Sequence, residues 1–225
     1  MCVLFITDAA VTLQSSPGLM RYHKGDDVTF IWTFTDKPER IITIDITYNT
    51  IIIVKRLISG QVSIDGNYKD RVTFEELDKS IKLILKDVSD DDVIYEVYRL
   101  SVVFVVGGTS SSLNDNKAEL YLFGKPTKPV LSGGQRVKEG QDITLMCTSS
   151  SSSIPVKYQL PLRYTWTRDN INLTTTSSSR HRVNGHQLTI TNVMRDDRNH
   201  QYTCITGEDG GLSSESDITQ IIVLC

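Results

Sequence analysis

Short runs of alternating apolar and polar residues recur along almost the whole chain. They occupy residues 28–32, 42–47 and 81–85 in the first half, and residues 142–147 and 187–191 in the second. Such alternation places every second side chain on one face of a strand, and turns rich in Gly, Asn and Asp separate the runs. No amphipathic stretch with helix-capping residues exceeds about ten positions. The pattern predicts an all-β chain built from sandwiches or barrels.

Two prolines interrupt this pattern near the middle of the 225-residue chain. Pro126 and Pro129 cannot donate to a central strand ladder, and each biases the preceding residue toward extended backbone. We therefore expect three segments, namely a domain at 1–123, a short stiff linker at 124–129 and a second domain at 130–225. A serine run at residues 149–153 follows a strand pattern, and we interpret it as a solvated loop.

Composition argues against several classes of function. The formal net charge is −3, the pI is about 5.8, and Lys and Arg are scattered, so we expect no nucleic acid partner. The four histidines, His23, His181, His186 and His200, do not form a four-ligand zinc pattern, and we expect no metal and no other cofactor. Nucleophile elbows, phosphate loops and His-Glu-x-x-His motifs are absent from the sequence. We therefore predict a protein that is not an enzyme and acts through a surface.

Cysteine usage indicates an oxidising compartment. The chain has four cysteines, Cys2, Cys147, Cys204 and Cys225, and no Cys-x-x-Cys pair. The isolated internal pair suits one structural disulfide, as in secreted and cell-surface proteins. Cys2 and Cys225 begin one domain and end the next, so we predict that they are not paired with each other.

A constellation in the second half carries the strongest resemblance. Cys147 and Cys204 end two alternating strands, Trp166 lies between them, and Tyr202 stands two residues before the second cysteine. This order resembles the immunoglobulin superfamily, most closely a C2- or I-type domain. The resemblance implies a disulfide between the two cysteines, buried behind Trp166, and a Tyr202 hydroxyl bonded to upstream backbone. The aspartate of the family's corner is displaced by one residue, to Asp197.

The first half resembles the same superfamily without its disulfide. Trp32 stands where the family's strand B carries a cysteine, and Val97 takes the place of the second cysteine, so we expect their side chains to meet in the core. Arg71 and Asp91 match the ion pair that closes one end of a V-type sandwich, and residues 49–70 are long enough for two additional strands. A V-type domain without a disulfide, followed by a C2-like domain with one, resembles the CD2, SLAM and CEACAM group of adhesion and immune receptor ectodomains. It resembles invertebrate immune lectins with V-like domains about equally well.

This resemblance implies that the V-type domain binds through the sheet formed by its strands G, F, C and C′. Alternation that turns Tyr95 and Val97 inward predicts an outward set on this sheet: Thr43, Asp45, Thr47, Ile52, Val54, Glu96, Tyr98 and Leu100. Exposed Tyr98 and Leu100 beside the apolar run at 51–54 would form an apolar patch with a polar fringe, which is typical of a protein-binding site.

The leading interpretation is an extracellular recognition module for cell adhesion or receptor–ligand binding. Its expected partner is another protein, either a surface receptor or a second copy of the chain. The alternative is a secreted immune recognition protein that binds microbial carbohydrate. Both place the chain at the cell surface or in the extracellular medium. Because no apolar run approaches the roughly 20 residues of a membrane-spanning helix, any membrane anchor is expected outside this fragment. Asn172 opens the one glycosylation sequon, Asn-Leu-Thr, and is the predicted glycan acceptor.

Overall fold

The computed structural model describes residues 11–95, 97–173 and 180–224. Within these ranges the secondary structure consists of β-strands and three short 3-10 helices, at Asp90–Asp92, Val156–Tyr158 and Arg195–Asn199. The chain divides into two compact units, Met1–Leu122 and Phe123–Cys225. The all-β fold that the strand pattern predicts is confirmed. Cys2 and Cys225, which are predicted not to pair with each other, lie outside the described residues.

The first unit is built from two sheets. Its described strands are β1 (Leu13–Ser15), β2 (Gly18–His23), β3 (Val28–Phe34), β4 (Arg40–Tyr48), β5 (Ile51–Arg56), β6 (Val62–Ile64), β7 (Val72–Leu77), β8 (Ser80–Leu85), β9 (Val97–Val106) and β10 (Thr109–Phe123). One sheet has four strands in the order β1-β3-β8-β7, and the other has six in the order β2-β10-β9-β4-β5-β6. The four-stranded sheet supplies one wall of the core and the six-stranded sheet the other, as in a sandwich.

Aromatic side chains fill the core of the first unit. Trp32 on β3 is fully buried, as predicted, and its ring stacks on Phe30 with centroids 5.9 Å apart. Phe30 in turn contacts Tyr98 on β9, and Tyr98 stacks on Tyr48 of β4, both at 4.6 Å between centroids. Large aromatic rings each bury 150–250 Å² and add roughly 0.5–1.5 kcal/mol per favourable pair. This chain of rings crosses from one sheet to the other and holds them together where a disulfide would in a related sandwich.

Strand β9 has the opposite register to the predicted one. Tyr98 and Leu100 are fully buried, whereas Tyr95 is exposed and Val97 is only half-buried. The Tyr98 hydroxyl donates a 2.8 Å hydrogen bond to the backbone carbonyl of Asp92, which anchors the start of β9 to the preceding turn. Because this bond points the Tyr98 ring into the core, alternation turns Val97 outward. The predicted outward positions of Tyr98 and Leu100 are therefore wrong, and so is the predicted core position of Val97.

An arginine–aspartate ion pair closes one end of each unit. In the first unit Arg71 contacts both carboxylate oxygens of Asp92, at 2.6 and 3.2 Å. The predicted partner, Asp91, is exposed, because the 3-10 turn before β9 directs only its last aspartate into the sandwich. In the second unit Arg180 pairs with the buried Asp197 in the same way. The displaced aspartate that the sequence shows in the second unit therefore still serves as the partner in this pair.

The second unit contains three sheets. Its described strands are β11 (Val130–Gly133), β12 (Arg136–Lys138), β13 (Ile143–Thr148), β14 (Arg163–Arg168), β15 (Ile171–Asn172), β16 (His181–Asn184), β17 (Gln187–Ile190), β18 (Tyr202–Gly207), β19 (Ser213–Glu215) and β20 (Ile222–Leu224). The orders are β11-β13-β17-β16, β15-β14-β18-β19 and β12-β20, and the last pair is parallel. The two four-stranded sheets enclose the core between them.

A disulfide joins the two four-stranded sheets of the second unit. Cys147 on β13 bonds Cys204 on β18, with the Cα atoms 6.4 Å apart, and both residues are buried beside Trp166. The predicted disulfide is confirmed. The predicted hydrogen bond of the Tyr202 hydroxyl is wrong, because this buried oxygen has no hydrogen-bond partner among the described residues.

Leu100 occupies the place in the first unit that Cys204 takes in the second. Leu100 pairs with Ile46 across β9 and β4, as Cys204 pairs with Trp166 across β18 and β14. Leu100 also follows a buried tyrosine by two residues, as Cys204 does. The first unit therefore replaces one cysteine by Trp32 and the other by Leu100, and Val97 has no part in this substitution.

The serine run at residues 149–153 is bonded to the proline-rich segment that precedes it. The Ser149 hydroxyl donates to the Thr127 carbonyl at 2.7 Å, and the Ser153 hydroxyl accepts from the Gly124 N–H at 2.9 Å. Ser153 is fully buried, so the interpretation of the run as a solvated loop is wrong at that residue. These hydroxyls satisfy backbone groups that no strand ladder pairs.

Candidate protein-binding face

The candidate site is the solvent side of the six-stranded sheet in the first unit. Strand register fixes which residues share that side, because directly opposed residues on neighbouring strands point the same way. One row crosses β5, β4 and β9, and the next row extends to β10. We call the following set the outer face: Thr43, Asp45, Thr47, Ile52, Lys55, Val97, Arg99, Ser101, Val103, Lys117 and Glu119.

The structure places four of the eight predicted binding residues on the outer face. Thr43, Asp45 and Thr47 are half-buried there, and Ile52 is 42% exposed. Three others, Val54, Tyr98 and Leu100, are fully buried and cannot touch a partner. Glu96 lies outside the described residues. The prediction from strand β4 thus holds, whereas the prediction from β9 fails with its register.

A β-bulge explains why Val54 points into the core. Ile46 pairs with Val54, but Thr47 pairs with Ile52, so Ile53 has no directly opposed residue on β4. Both Ile53 and Val54 are fully buried, while Ile52 remains largely exposed. A bulge inserts one additional residue and changes which side the following residues face. The apolar run at 51–54 is therefore divided between the core and the solvent.

Aliphatic side chains supply the apolar part of the outer face. Ile52 lies on β5 beside Thr47, and Val97 and Val103 lie half-buried on β9. Val103 is directly opposite Thr43 on β4. These aliphatic groups and threonine methyls alternate with charged residues, a mixed composition that is found in many non-obligate protein interfaces.

Charged side chains of both signs lie between and beside these aliphatic groups. The Lys55 ammonium lies 3.8 Å from the Oδ1 atom of Asp45, which is buried and has no hydrogen-bond partner among the described residues. This ion pair is directly opposed across β4 and β5. In the adjacent rows Arg99 is directly opposite Lys117, and Glu119 lies two residues further along β10. The outer face therefore carries three cationic and two acidic positions.

A recess in the first unit is a weaker candidate. It lies among the loops at the end of the sandwich that is opposite the Arg71–Asp92 ion pair. Its volume is about 330 Å³, and none of its ten lining residues is aromatic. Two ion pairs occupy its wall, Arg56 with Glu76 at 2.8 Å and Lys37 with Asp78 at 2.5 Å. Small-molecule sites are usually lined by apolar and aromatic side chains with a few convergent polar groups. This recess instead uses its charged groups to pair with one another.

Sequence reasoning missed the outer-face residues of β9. Arg99, Ser101 and Val103 are not in the predicted set, because the predicted register of β9 is one residue out of phase with the observed one. A signal was present in the sequence, because Leu100 follows Tyr98 by the same two residues that separate Tyr202 from Cys204. Aligning the two halves on this spacing would have placed these three residues outward.

The comparisons with known proteins bear on the second unit. Residues 125–206 match the immunoglobulin domain family. No curated protein matches the chain. Immunoglobulin domains are in general recognition or adhesion modules without enzymatic activity, they commonly mediate protein–protein interactions, and they occur in extracellular and cell-surface proteins. The match, together with the strand arrangement, identifies the architecture as immunoglobulin-like.

The described residues carry little that indicates other kinds of site. No helix among them has the length and apolarity to cross a bilayer, and no three of their His, Cys, Asp or Glu side chains are grouped to hold a metal ion. Asn172, the predicted glycan acceptor, lies half-buried at the end of β15. The third residue of its sequon falls outside the described ranges, so glycosylation stays a prediction.

Proposed function

We propose that this chain is an extracellular recognition module that binds another protein through the outer face of its first unit. The observation that carries the proposal is the exposed Ile52 beside half-buried Thr47, with half-buried Val97 and Val103 on the same side of the sheet. Asp45, Lys55 and Arg99 lie among these groups, and such a mixture of apolar and charged side chains occurs in many non-obligate protein interfaces. The proposed setting is a cell surface or the extracellular medium, which agrees with the disulfide in the second unit.

The strand order supports a finer assignment of the two units. Strands β5 and β6 extend the sheet of the first unit beyond β4, which is the arrangement of a variable-type domain. Among its described residues, the second unit has only the short β15 at that position, as expected for a C2- or I-type domain. We assign the first unit as the V-type binding domain and the second as its support. This arrangement resembles that of the CD2, SLAM and CEACAM group.

Cell display tests the proposal and the class of ligand together. The chain is expressed on a suspension cell line, which is then tested for homotypic aggregation and for adhesion to a panel of other cells. We expect adhesion that trypsin treatment of the target cells abolishes and glycosidase treatment leaves intact. Adhesion with the opposite sensitivity, or binding to a glycan array, would instead support the carbohydrate-binding alternative. The absence of aromatic residues in the loop-end recess argues against that alternative.

A further inference from the structure

The geometry points to a second interaction surface, the free edge of the first five residues of strand β10, residues 109–113. We infer that this edge pairs with the same edge of a second copy of the chain. Two such edges would align antiparallel and join the two six-stranded sheets into one. This contact uses backbone groups at the side of the sheet, so it is separate from the outer face. It therefore extends the proposed function without depending on it.

Among the described residues the edge is open, because β2 is too short to cover it. Strand β10 has 15 residues, whereas its neighbour β2 has six. The guanidinium carbon of Arg21, in the middle of β2, lies 5.8 Å from the ring centroid of Tyr121, which places β2 beside the end of β10. Residues 109–113 precede Tyr121 by 8 to 12 positions, or about 26–40 Å of strand. No described strand lies beside them on that side, although β9 pairs with them on the other.

This open edge also lacks the usual protection against pairing. Natural edge strands are blocked by charges, prolines or bulges within the edge. Residues 100–114 contain no Lys, Arg, Asp, Glu or Pro. Residues 109–112 are exposed and carry only threonine and serine side chains. The backbone N–H and C=O groups of a regular, uncharged strand are therefore accessible to another strand.

The limits of the edge favour a second copy as its partner. The two-residue turn Gly107–Gly108, with both glycines at positive φ, ends the edge before Thr109. A shift in the pairing register with β9, between Leu113 and Asn116, ends the edge after Leu113. Between them lies a run of five residues centred on Ser111. A two-fold axis at Ser111 would oppose Ser110 to Ser112, with hydroxyls in hydrogen-bonding range and no like charges in contact.

Sedimentation velocity tests this pairing on the intact 25.3 kDa chain. A five-residue strand pair is a small interface, so the concentration series extends to about 1 mM, where a millimolar Kd is detected. We expect a dimer that Ser111→Lys abolishes, because a lysine at the axis would face a second lysine. The matched control is Ser63→Lys on β6, the other edge of the same sheet, which should leave the dimer unchanged.

The possible outcomes separate this inference from the proposed function. A chain that stays monomeric throughout, or a dimer that Ser63→Lys abolishes and Ser111→Lys spares, would overturn the edge pairing. A dimer lost only on Ile52→Glu would also overturn it, while supporting self-recognition through the outer face. If Ser111→Lys abolishes the dimer but cell adhesion persists, both the edge pairing and a separate binding face are supported.

Cysteine scanning then checks the register. In a chain with Cys2→Ser and Cys225→Ser, single cysteines are placed at positions 110, 111 and 112 and oxidised above the dimerisation concentration. Directly opposed residues have Cβ atoms about 4.5–5.5 Å apart, and diagonal ones are about 7–8 Å apart. We expect crosslinks of Ser111→Cys with itself or of Ser110→Cys with Ser112→Cys. Equal crosslinking of Ser110→Cys with itself would contradict the two-fold axis at Ser111.

Discussion

The hydroxyl of Tyr98 donates a hydrogen bond of 2.8 Å to the backbone carbonyl of Asp92, at the start of strand β9. Tyr98 is fully buried between Phe30 and Tyr48, so its ring also links the two sheets of the first unit. Burial raises the pKa of the Tyr98 phenol far above its ordinary value, which keeps the hydroxyl protonated as a donor. With Tyr98 turned inward, alternation turns Val97 and Arg99 toward the outer face, and the ladders with β4 and β10 continue this register along β9.

Replacing Tyr98 with phenylalanine should destabilise the first unit by about 1–3 kcal/mol. The substitution keeps the ring but leaves the buried Asp92 carbonyl without its donor. Tyr202→Phe is the matched control in the second unit, since the Tyr202 hydroxyl has no hydrogen-bond partner among the described residues, and its removal should be neutral or slightly stabilising. Chemical denaturation followed by tryptophan fluorescence measures both. Equal losses in the two variants would contradict a stabilising role for the Tyr98 hydrogen bond.

The second unit was predictable from its sequence to a greater depth than the first. The Cys147, Trp166 and Cys204 pattern specifies both the fold and a covalent contact between sheets, and the structure contains that disulfide. In residues 93–98 of the first unit, both the odd-numbered and the even-numbered positions carry apolar or aromatic side chains. Alternation alone therefore cannot show which set faces the core. The hydrogen bond of Tyr98 decides the matter, and it depends on a turn that periodicity does not describe.

Two further errors have similar physical origins. Three consecutive aspartates precede β9, and their spacing does not reveal that Asp92 rather than Asp91 turns inward toward Arg71. The run at 51–54 is apolar at each position, so the bulge that buries Val54 leaves no mark in the pattern. By contrast, strand β4 alternates strictly between isoleucine and polar residues from Thr43 to Thr47, and its outward residues were predicted correctly.

Loss of Arg71 should destabilise the first unit by about 3 kcal/mol. Arg71→Gln would leave the carboxylate of Asp92, which is 1% exposed, without its cation. The hydrogen bond with Asp92 raises the pKa of Arg71 above its ordinary value, in accord with a close pair. Lys37→Gln breaks an ion pair with Asp78, whose side chain is 82% exposed, and should change stability by less than about 0.5 kcal/mol. Denaturant titration of both variants would refute this account if their losses were similar.

The second unit should lose stability as the pH falls below about 6.5. Burial, followed by the nearby charge of Arg168, lowers the pKa of His181 below its ordinary value, although Asp197 opposes this shift. The unfolded chain then binds a proton at a pH where the folded chain does not, so the free energy of unfolding decreases with falling pH down to the folded-state pKa. The slope per histidine is at most about 1.4 kcal/mol per pH unit.

Thermal unfolding at a series of pH values between 7.5 and 5 measures this effect. His181→Gln should flatten the pH dependence of the second unit's melting temperature, even if it lowers that temperature overall. His186→Gln changes an exposed histidine and should retain the wild-type dependence. An unchanged slope in the His181 variant would exclude that residue as the source.

The most direct test of the proposed binding face compares Ile52→Glu with Ile31→Glu. The two isoleucines are 42% and 45% exposed, both lie on strands of the first unit, and they belong to its two different sheets. The measurement is adhesion of cells that display each variant, with melting temperatures confirming that both remain folded. We predict that Ile52→Glu weakens adhesion at least tenfold, about 1.4 kcal/mol, while Ile31→Glu leaves it unchanged. Equal adhesion by both variants, or a loss confined to Ile31→Glu, would contradict a binding site on the outer face.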